Sequence, residues 1–353
     1  MLLPFSKKHK TQKSDKSLIE FIEDSKKKKV GLKSALIEYE AIKRGLAVQR
    51  LSNRIILINS KSGSSLAFVH MNGNSSSRIG NILCDRKQDS RIILKRNNIS
   101  VVESKVFQFK EFKKGTNFAE KIGFPVVVKP TTLSRGKGIT TNIQNSDELK
   151  LAWEKGAAAY SKNKRIKSLM IEKHFVGDDY RFFVVDGKLV SASLRKRANV
   201  VGDGKSTILD LIKIKNVERK KNPYLASFLI PEDIKELDVL RHQNLSLDLI
   251  PEKGKEIILR SQSNLSAGGD SIDVTDSIHP GFKKIAIKSV QVIPGIDYAG
   301  VDFITRDITK KPTESNYIVG EIEFSPAPFT HFPFKGKPRN MAGAIIDYYL
   351  KKS

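Results

Sequence analysis

A chain of 353 residues with 39% hydrophobic and 29% charged side chains is long enough for two or three modules and too apolar for a disordered segment. No apolar run reaches the ~18 to 20 residues of a membrane span, and the amino-terminal MLLPFSKKHK lacks the apolar stretch of a signal peptide, so a cytoplasmic protein with no membrane partner is expected. The net charge of +25 suits an anionic partner, but no stretch alternates basic and aromatic residues and no zinc-finger, helix-turn-helix or RNP pattern occurs, which makes nucleic acid the weaker reading of that charge.

Residues 1 to about 15 are polar and basic. From Ser17 to Leu46 the apolar residues Leu18, Ile19, Ile22, Leu32, Ala35, Leu36, Tyr39 and Ile42 recur at helical steps, and Gly45 stands as a stop. Residues 54–58 and Ser65–His70 read as strands, so the first 80 or so residues form a small α/β module. A helix follows over Lys87–Arg96, a strand near Val101–Val106, and a helix near Asn117–Lys121. Phe124–Pro130 is a buried strand closed by proline. The loop Thr131–Gly138 leads to a strand over Ile139–Ile143, and Ser146 opens a helix towards Ser161 with Asp147 as its expected cap. Leu169–Glu172 is a strand. Tyr180–Val185 and Leu189–Leu194 make a hairpin turned by Asp186-Gly187. A helix over Thr207–Val217, a strand over Glu256–Arg260 and a helix over Pro280–Val292 come next. Strands over Tyr298–Ile304 and Tyr317–Phe324 precede a closing helix, Asn340–Leu350. This succession predicts an α+β, or mixed α/β, architecture.

Four stretches carry chemistry. In the first, a strand delivers Lys129, and Ser134, Arg135, Gly136, Lys137 and Gly138 follow in a loop. Backbone amides plus point charges suit polyphosphate, although a solvated turn has the same composition. In the second, the strand end Glu172-Lys173-His174-Phe175 could present backbone groups to a nucleobase, with Asp179 a few residues on. In the third, Asp302 lies on one strand while Glu321 and Glu323 share a face of the next. Carboxylates among apolar neighbours suit a hard cation such as Mg2+; a polar outer sheet face is the alternative. In the fourth, Arg260 passes into a glycine-rich turn containing Asn264, fit either to hold an oxyanion or to be a surface loop. The single cysteine, Cys84, excludes an internal disulfide and reads as a small apolar residue rather than a nucleophile.

In this order the segments resemble the ATP-grasp superfamily of ligases. The similarity is to the ATP-grasp modules of cyanophycin synthetase and of the bifunctional glutamate–cysteine ligase/glutathione synthetase. It is carried by residues 124–130 (FPVVVKP), 171–175 (IEKHF), 179–188 (DYRFFVVDGK), 200–208 (VVGDGKSTI), 263–276 (SNLSAGGDSIDVTD) and 320–326 (GEIEFSP). The resemblance implies two α+β lobes clamping ATP, residues 85–171 and 172–353, after a leading module over 1–84. It implies an ATP-dependent ligase that joins a carboxylate to an amine through an acyl phosphate. An ATP-using phosphotransferase or a weakened nucleotide- or polyanion-binding protein are the alternatives. Lys129 and the loop Ser134–Gly138 are then the phosphate contacts, with Arg86 or Lys87 and Arg195 or Arg197 beside them. Glu172 and the backbone of Lys173, His174 and Phe175 would meet the adenine, and Asp179 the ribose. Asp302, Glu321 and Glu323 would hold Mg2+, or Mn2+ in its place. Arg260 and Asn264 would orient the acyl phosphate, with Arg181 a further catalytic candidate. Amino acids or peptides are the implied substrates, and a homo-oligomer is compatible with the family. Two departures stand out. The family reads Glu-x-Asn where this chain has Glu321-Ile322-Glu323, and Ala327-Pro328 replace the usual glycine. His331 and Lys335 are expected either near the substrate pocket or on a surface loop.

Overall fold

The structure, a computed structural model, describes residues 17–59, 65–133, 137–160 and 168–352. The chain opens with helices α1 (Leu18–Lys27) and α2 (Leu32–Lys43). Ser17 starts α1 with a capping box, its side chain accepting the Glu20 N–H while Glu20 returns the bond. Four antiparallel strands follow in consecutive order: β1 (Ala47–Arg50), β2 (Ile55–Asn59), β3 (Ser65–Val69) and β4 (Asn72–Gly73). Their inward residues, such as Ile56, Ile58, Leu66 and Phe68, alternate with exposed ones, as a half-covered sheet requires. This module does not close its own core. Met341, Ile345, Ile346, Tyr348 and Tyr349 of the last helix complete it, and Phe183 and Tyr298 reach it from a second sheet.

Helices α3 (Arg78–Asp85) and α4 (Lys87–Arg96) lead to β5 (Ser104–Gln108), α5 (Phe112–Ile122), β6 (Val126–Pro130), β7 (Thr140–Ile143), α6 (Ser146–Ala158) and β8 (Ser168–Lys173). The strands form an antiparallel sheet in the order β5-β8-β6-β7. Helices α5 and α6 cover one face of it through Phe107, Ala119, Leu149, Trp153 and Leu169. Gly115 of α5 is where the indole of Trp153 needs room: a Cβ there would stand 2.8 Å from the ring. The cap of α6 is Asn145, whose side chain accepts the Glu148 N–H at 2.9 Å; Asp147 lies inside the first turn instead. The strand expected from Val101 begins at Ser104, after a stretch in which the Ser100 carbonyl accepts the Val319 N–H at 2.8 Å.

The rest of the chain builds a larger sheet and a satellite. In chain order the elements are β9 (Asp178–Val185), β10 (Lys188–Lys196), β11 (Asn199–Val201), α7 (Ile208–Lys221), α8 (Asp238–His242), β12 (Glu256–Ile258), β13 (Asp270–Asp273), α9 (Pro280–Gln291), β14 (Tyr298–Thr305), β15 (Tyr317–Glu323) and α10 (Met341–Lys352). Five strands pair in the order β13-β10-β9-β14-β15. The β9–β10 turn is Asp186-Gly187, both with positive φ, as a tight hairpin demands. Phe182, Phe282, Val301, Phe303 and Ile322 pack one face of this sheet under α9. The β11–β12 ladder, α7 and α8 enclose a small core of their own. Among the described residues no helix is long and apolar enough to cross a membrane.

Candidate active site

The four-stranded and five-stranded sheets are joined by two crossovers, residues 97–103 and 174–177, and α4 lies across the junction. At the second crossover Gly177 passes so close to β14 that a Cβ would come within 2.7 to 2.9 Å of the Thr305 backbone. Lys87 and Arg91 are one helical turn apart on α4, so they share a face. Lys87 pairs with Glu321 of β15 at 2.9 Å. Arg91 pairs with Glu172 of β8 at 2.7 Å and also donates to the Gly320 carbonyl at 3.0 and 3.3 Å. That carbonyl is available because the β14–β15 register slips between Asp302 and Phe303, leaving Gly320 as the extra residue.

Lys129 reaches Glu172 from β6 at 2.7 Å. Burial works against the charge of Glu172, yet Lys129 and Arg91 overcome it and hold the carboxyl down at about 2. Burial lowers the Lys129 ammonium itself.

The second group lies on the five-stranded sheet. Asp302 sits directly across from Arg181 on one side and from Glu321 on the other. Both oxygens of its carboxylate are bound by guanidiniums: Arg181 on Oδ1 and Oδ2, and Arg195 on Oδ2 at 2.8 Å. Burial opposes the ionised form, and the two arginines still bring Asp302 to about 2. Arg195 also holds Asp179, which accepts the Ser263 hydroxyl at 2.6 Å. Arg181 stands 3.7 Å from Glu323. Burial raises the Glu323 carboxyl, and the neighbouring Glu321 and Asp302 add to the rise against the pull of Arg181. Gly300 makes the space for this group: a Cβ there would be 3.0 Å from both Arg181 and Pro326.

Several expectations become specific here. Of Arg86 and Lys87, it is Lys87 that faces the junction, whereas Arg86 is exposed and paired to Asp89. Of Arg195 and Arg197, the former joins the cluster and the latter is exposed. Ser134, Arg135 and Gly136 lie outside the described residues. Lys137 is exposed, and Gly138 adopts positive φ against Pro130 and Ala159. The N–H groups of Lys173 and His174 are spent on the Glu103 and Pro125 carbonyls, and the Lys173 ammonium on the Gly123 and Phe124 carbonyls. His174 keeps a buried Nδ1 with no hydrogen-bond partner. Beside the first crossover lies a cleft of about 500 Å³, lined by Val102, Glu103, Lys173, Phe175 and Ile318 among others. Asn264 starts a short 3-10 turn, Leu265–Ala267, and Arg260 is half-buried just after β12.

Other expectations need correction. The described residues contain no group of three acidic, imidazole or thiol side chains arranged around one ion. The reason is charge: a buried carboxylate requires a counter-charge, and for Asp302 the guanidiniums supply it. Glu321 and Glu323 remain as two partly exposed carboxylates on one face, with Glu323 short of positive partners, which suits a hard cation. His331 is not on a surface loop. It is buried, its Nε2 accepts the Ala342 N–H at the start of α10 at 3.1 Å, and burial drives it down to about 4. Lys335 is exposed. The Cys84 thiol is pushed up to about 12 by burial, helped by Asp85, Glu323 and Glu321, so it is not a nucleophile. Arg91, Ser263 and Lys33 of α2, whose ammonium bonds Ser325, were not singled out in the sequence. Only the i, i+4 spacing of Lys87 and Arg91 carries a local signal.

The profile of the family described as "Carbamoyl-phosphate synthase L chain, ATP binding domain" matches residues 85–179. The chain is similar to cyanophycin synthetase of Synechocystis sp., 34% identical over 273 residues, covering 75% of this chain and 30% of that protein. It is 30% identical over 322 residues to the glutathione biosynthesis bifunctional protein GshAB of Clostridium perfringens, covering 90% of this chain and 40% of that one. The crystal structure of a bifunctional glutathione synthetase from Pasteurella multocida superposes with a TM-score of 0.70 at 26% identity, covering 92% of this chain and 44% of the other. The chain thus spans 30% to 44% of the length of these relatives. By fold and by sequence the chain is similar to ATP-grasp ligases over most of its length.

Proposed function

We propose that this protein joins a carboxylate to an amine at the expense of ATP, through an acyl phosphate, with release of ADP and phosphate. The observation that carries the reading is the convergence at one junction of Lys87, Lys129, Arg181 and Arg195 with Asp302, Glu321 and Glu323. Residues 85–171 and 172–353 act as the two lobes, with 1–84 as the leading module. Lys87 and Lys129 meet the phosphates from the four-stranded side, together with the loop Ser134–Gly138. The base lies against the stretch Glu172–Phe175 and the ribose near Asp179.

Glu321 and Glu323 would hold Mg2+, which would supply positive charge to offset that of the nucleotide phosphates. Asp302 fixes Arg181 and Arg195, whose planar guanidiniums can receive the transferring phosphoryl oxygens and the substrate carboxylate. Arg260 and Asn264 complete that side. A carboxylate oxygen attacks the γ-phosphorus and ADP leaves. The amine nitrogen then attacks the acyl carbon, phosphate leaves with the C–O bond electrons, and the nitrogen loses a proton. The side chains supply position and charge, and no enzyme nucleophile is needed.

The substrates are one amino acid or peptide carboxylate and one amine, and an ATP-consuming ligase of this kind belongs in the cytoplasm. The test is phosphate release from ATP across amino acids and short peptides, singly and in pairs, with mass spectrometry of products. Release that requires a pair, with a product lighter by one water than the sum, supports the ligase. ADP formation without phosphate release, with the phosphoryl group found on a singly added hydroxyl substrate and no amine required, overturns it.

A further inference from the structure

Lys33 occupies a position that its own helix does not explain. It is the second residue of α2, where the positive end of the helix dipole disfavours a cation. Its side chain is partly buried, and its ammonium leaves the amino-terminal module altogether. It donates to both the carbonyl and the hydroxyl of Ser325, the latter at 3.1 Å, across 292 residues of sequence. Ser325 is two residues beyond Glu323, in the turn that carries the chain off β15 to Pro326. Pro326 in turn packs beside Gly300 and Arg181, and Arg181 stands 3.7 Å from Glu323. Lys33, Ser325, Glu323 and Arg181 therefore form one continuous group, in which Glu323 and Arg181 lie within electrostatic reach of the Lys33 ammonium. Glu323 is also the residue that departs from the asparagine of the resembling ligases. It adds a full negative charge to a strand that already carries Glu321 opposite Asp302.

We propose that Lys33 is a positioning residue of the active site, holding the Ser325 turn that follows β15 and, through it, the placement of the Glu323 carboxylate beside Glu321. The role rests on the ligase reading above. It makes the amino-terminal module part of the catalytic centre, and it couples two positions, 33 and 323, that are distant in sequence.

The test is a double-mutant cycle on the intact chain. Wild type, Lys33→Met, Glu323→Asn and the double variant are titrated with Mn2+ in the presence of a non-hydrolysable ATP analogue, and free Mn2+ is read by electron paramagnetic resonance. Lys33→Met is expected to weaken Mn2+ binding by about fivefold or more in the wild-type background and by less than about twofold once residue 323 is asparagine. Lys33→Arg, which keeps charge and donors, should stay within about twofold of wild type. Equal effects in the two backgrounds overturn the proposal. So does tighter Mn2+ binding by Lys33→Met, which is what simple removal of a nearby positive charge would produce. Where Lys33→Met does not fold, Lys33→Gln takes its place in the cycle. Failure of the wild-type protein to bind the analogue with Mn2+ would sink the ligase reading and this role with it, whereas binding with additive effects sinks this role alone.

Discussion

Arg91 is bonded to Glu172 at 2.7 Å while its other nitrogens hold the Gly320 carbonyl, so a single guanidinium ties the two sheets together. Both partners are nearly inaccessible, with 4% and 12% of their side chains exposed. Removing Arg91 leaves Glu172 with Lys129 alone. We expect Arg91→Met to destabilise the protein by about 2 to 3 kcal/mol and to raise the KM for ATP. Denaturant unfolding measures the first effect; an unchanged midpoint would show that the bridge is not structural.

Lys129→Ala removes a phosphate contact in the proposed reaction and half of the charge that keeps Glu172 ionised. The expected loss in kcat/KM is about 100-fold or more, roughly 3 kcal/mol of transition-state stabilisation. Steady-state kinetics checks it. Full activity in this variant would remove Lys129 from the phosphate site.

Asp302→Asn deprives Arg181 and Arg195 of a shared buried counter-charge. A cost of about 3 kcal/mol in stability is expected, together with a higher Mg2+ requirement for turnover. A Mg2+ titration of phosphate release distinguishes the two consequences. Lost stability with an unaltered Mg2+ midpoint would confine Asp302 to holding the arginines.

His331 makes stability depend on pH. It is buried and neutral, accepting the Ala342 N–H, and protonates in the folded protein only near 4, against about 6.5 in an unfolded chain. The unfolded chain binds the proton first as pH falls. The contribution is therefore complete above about 6.5 and is lost between there and about 4, on the order of 3 kcal/mol in all. His331→Gln should flatten that part of the stability profile. Identical slopes for variant and wild type between pH 6.5 and 4 would refute the assignment.

The parts of this architecture legible in the sequence are those set by local pattern. The apolar run ending in Lys129-Pro130, the Asp186-Gly187 turn and the two acid-bearing strands β14 and β15 declare themselves through period and turn chemistry. What stayed hidden depends on contacts between distant residues. Nothing near Arg91 in the sequence announces Glu172, and nothing near Lys33 announces Ser325. Asp302 shows the same limit from the other side. A carboxylate between Val301 and Phe303 signals a required counter-charge, but not whether an ion or two arginines provide it. The cap of α6 turned on a smaller matter: Asn145 and Asp147 are both good cap residues, and the side chain that reaches the Glu148 N–H belongs to Asn145.

Because α10, α2 and the β1–β4 sheet share one core with Phe183 and Tyr298, the amino-terminal module is anchored to the five-stranded sheet as a single block. Any opening and closing over a nucleotide then falls to the smaller body, the β5–β8–β6–β7 sheet with α5 and α6. At its connections to the larger block, Gly177 is pressed against the Thr305 backbone and Arg91 bridges Glu172 to the Gly320 carbonyl. In this arrangement the acid-bearing strands and Lys33 belong to the larger block, and Lys129 to the smaller body.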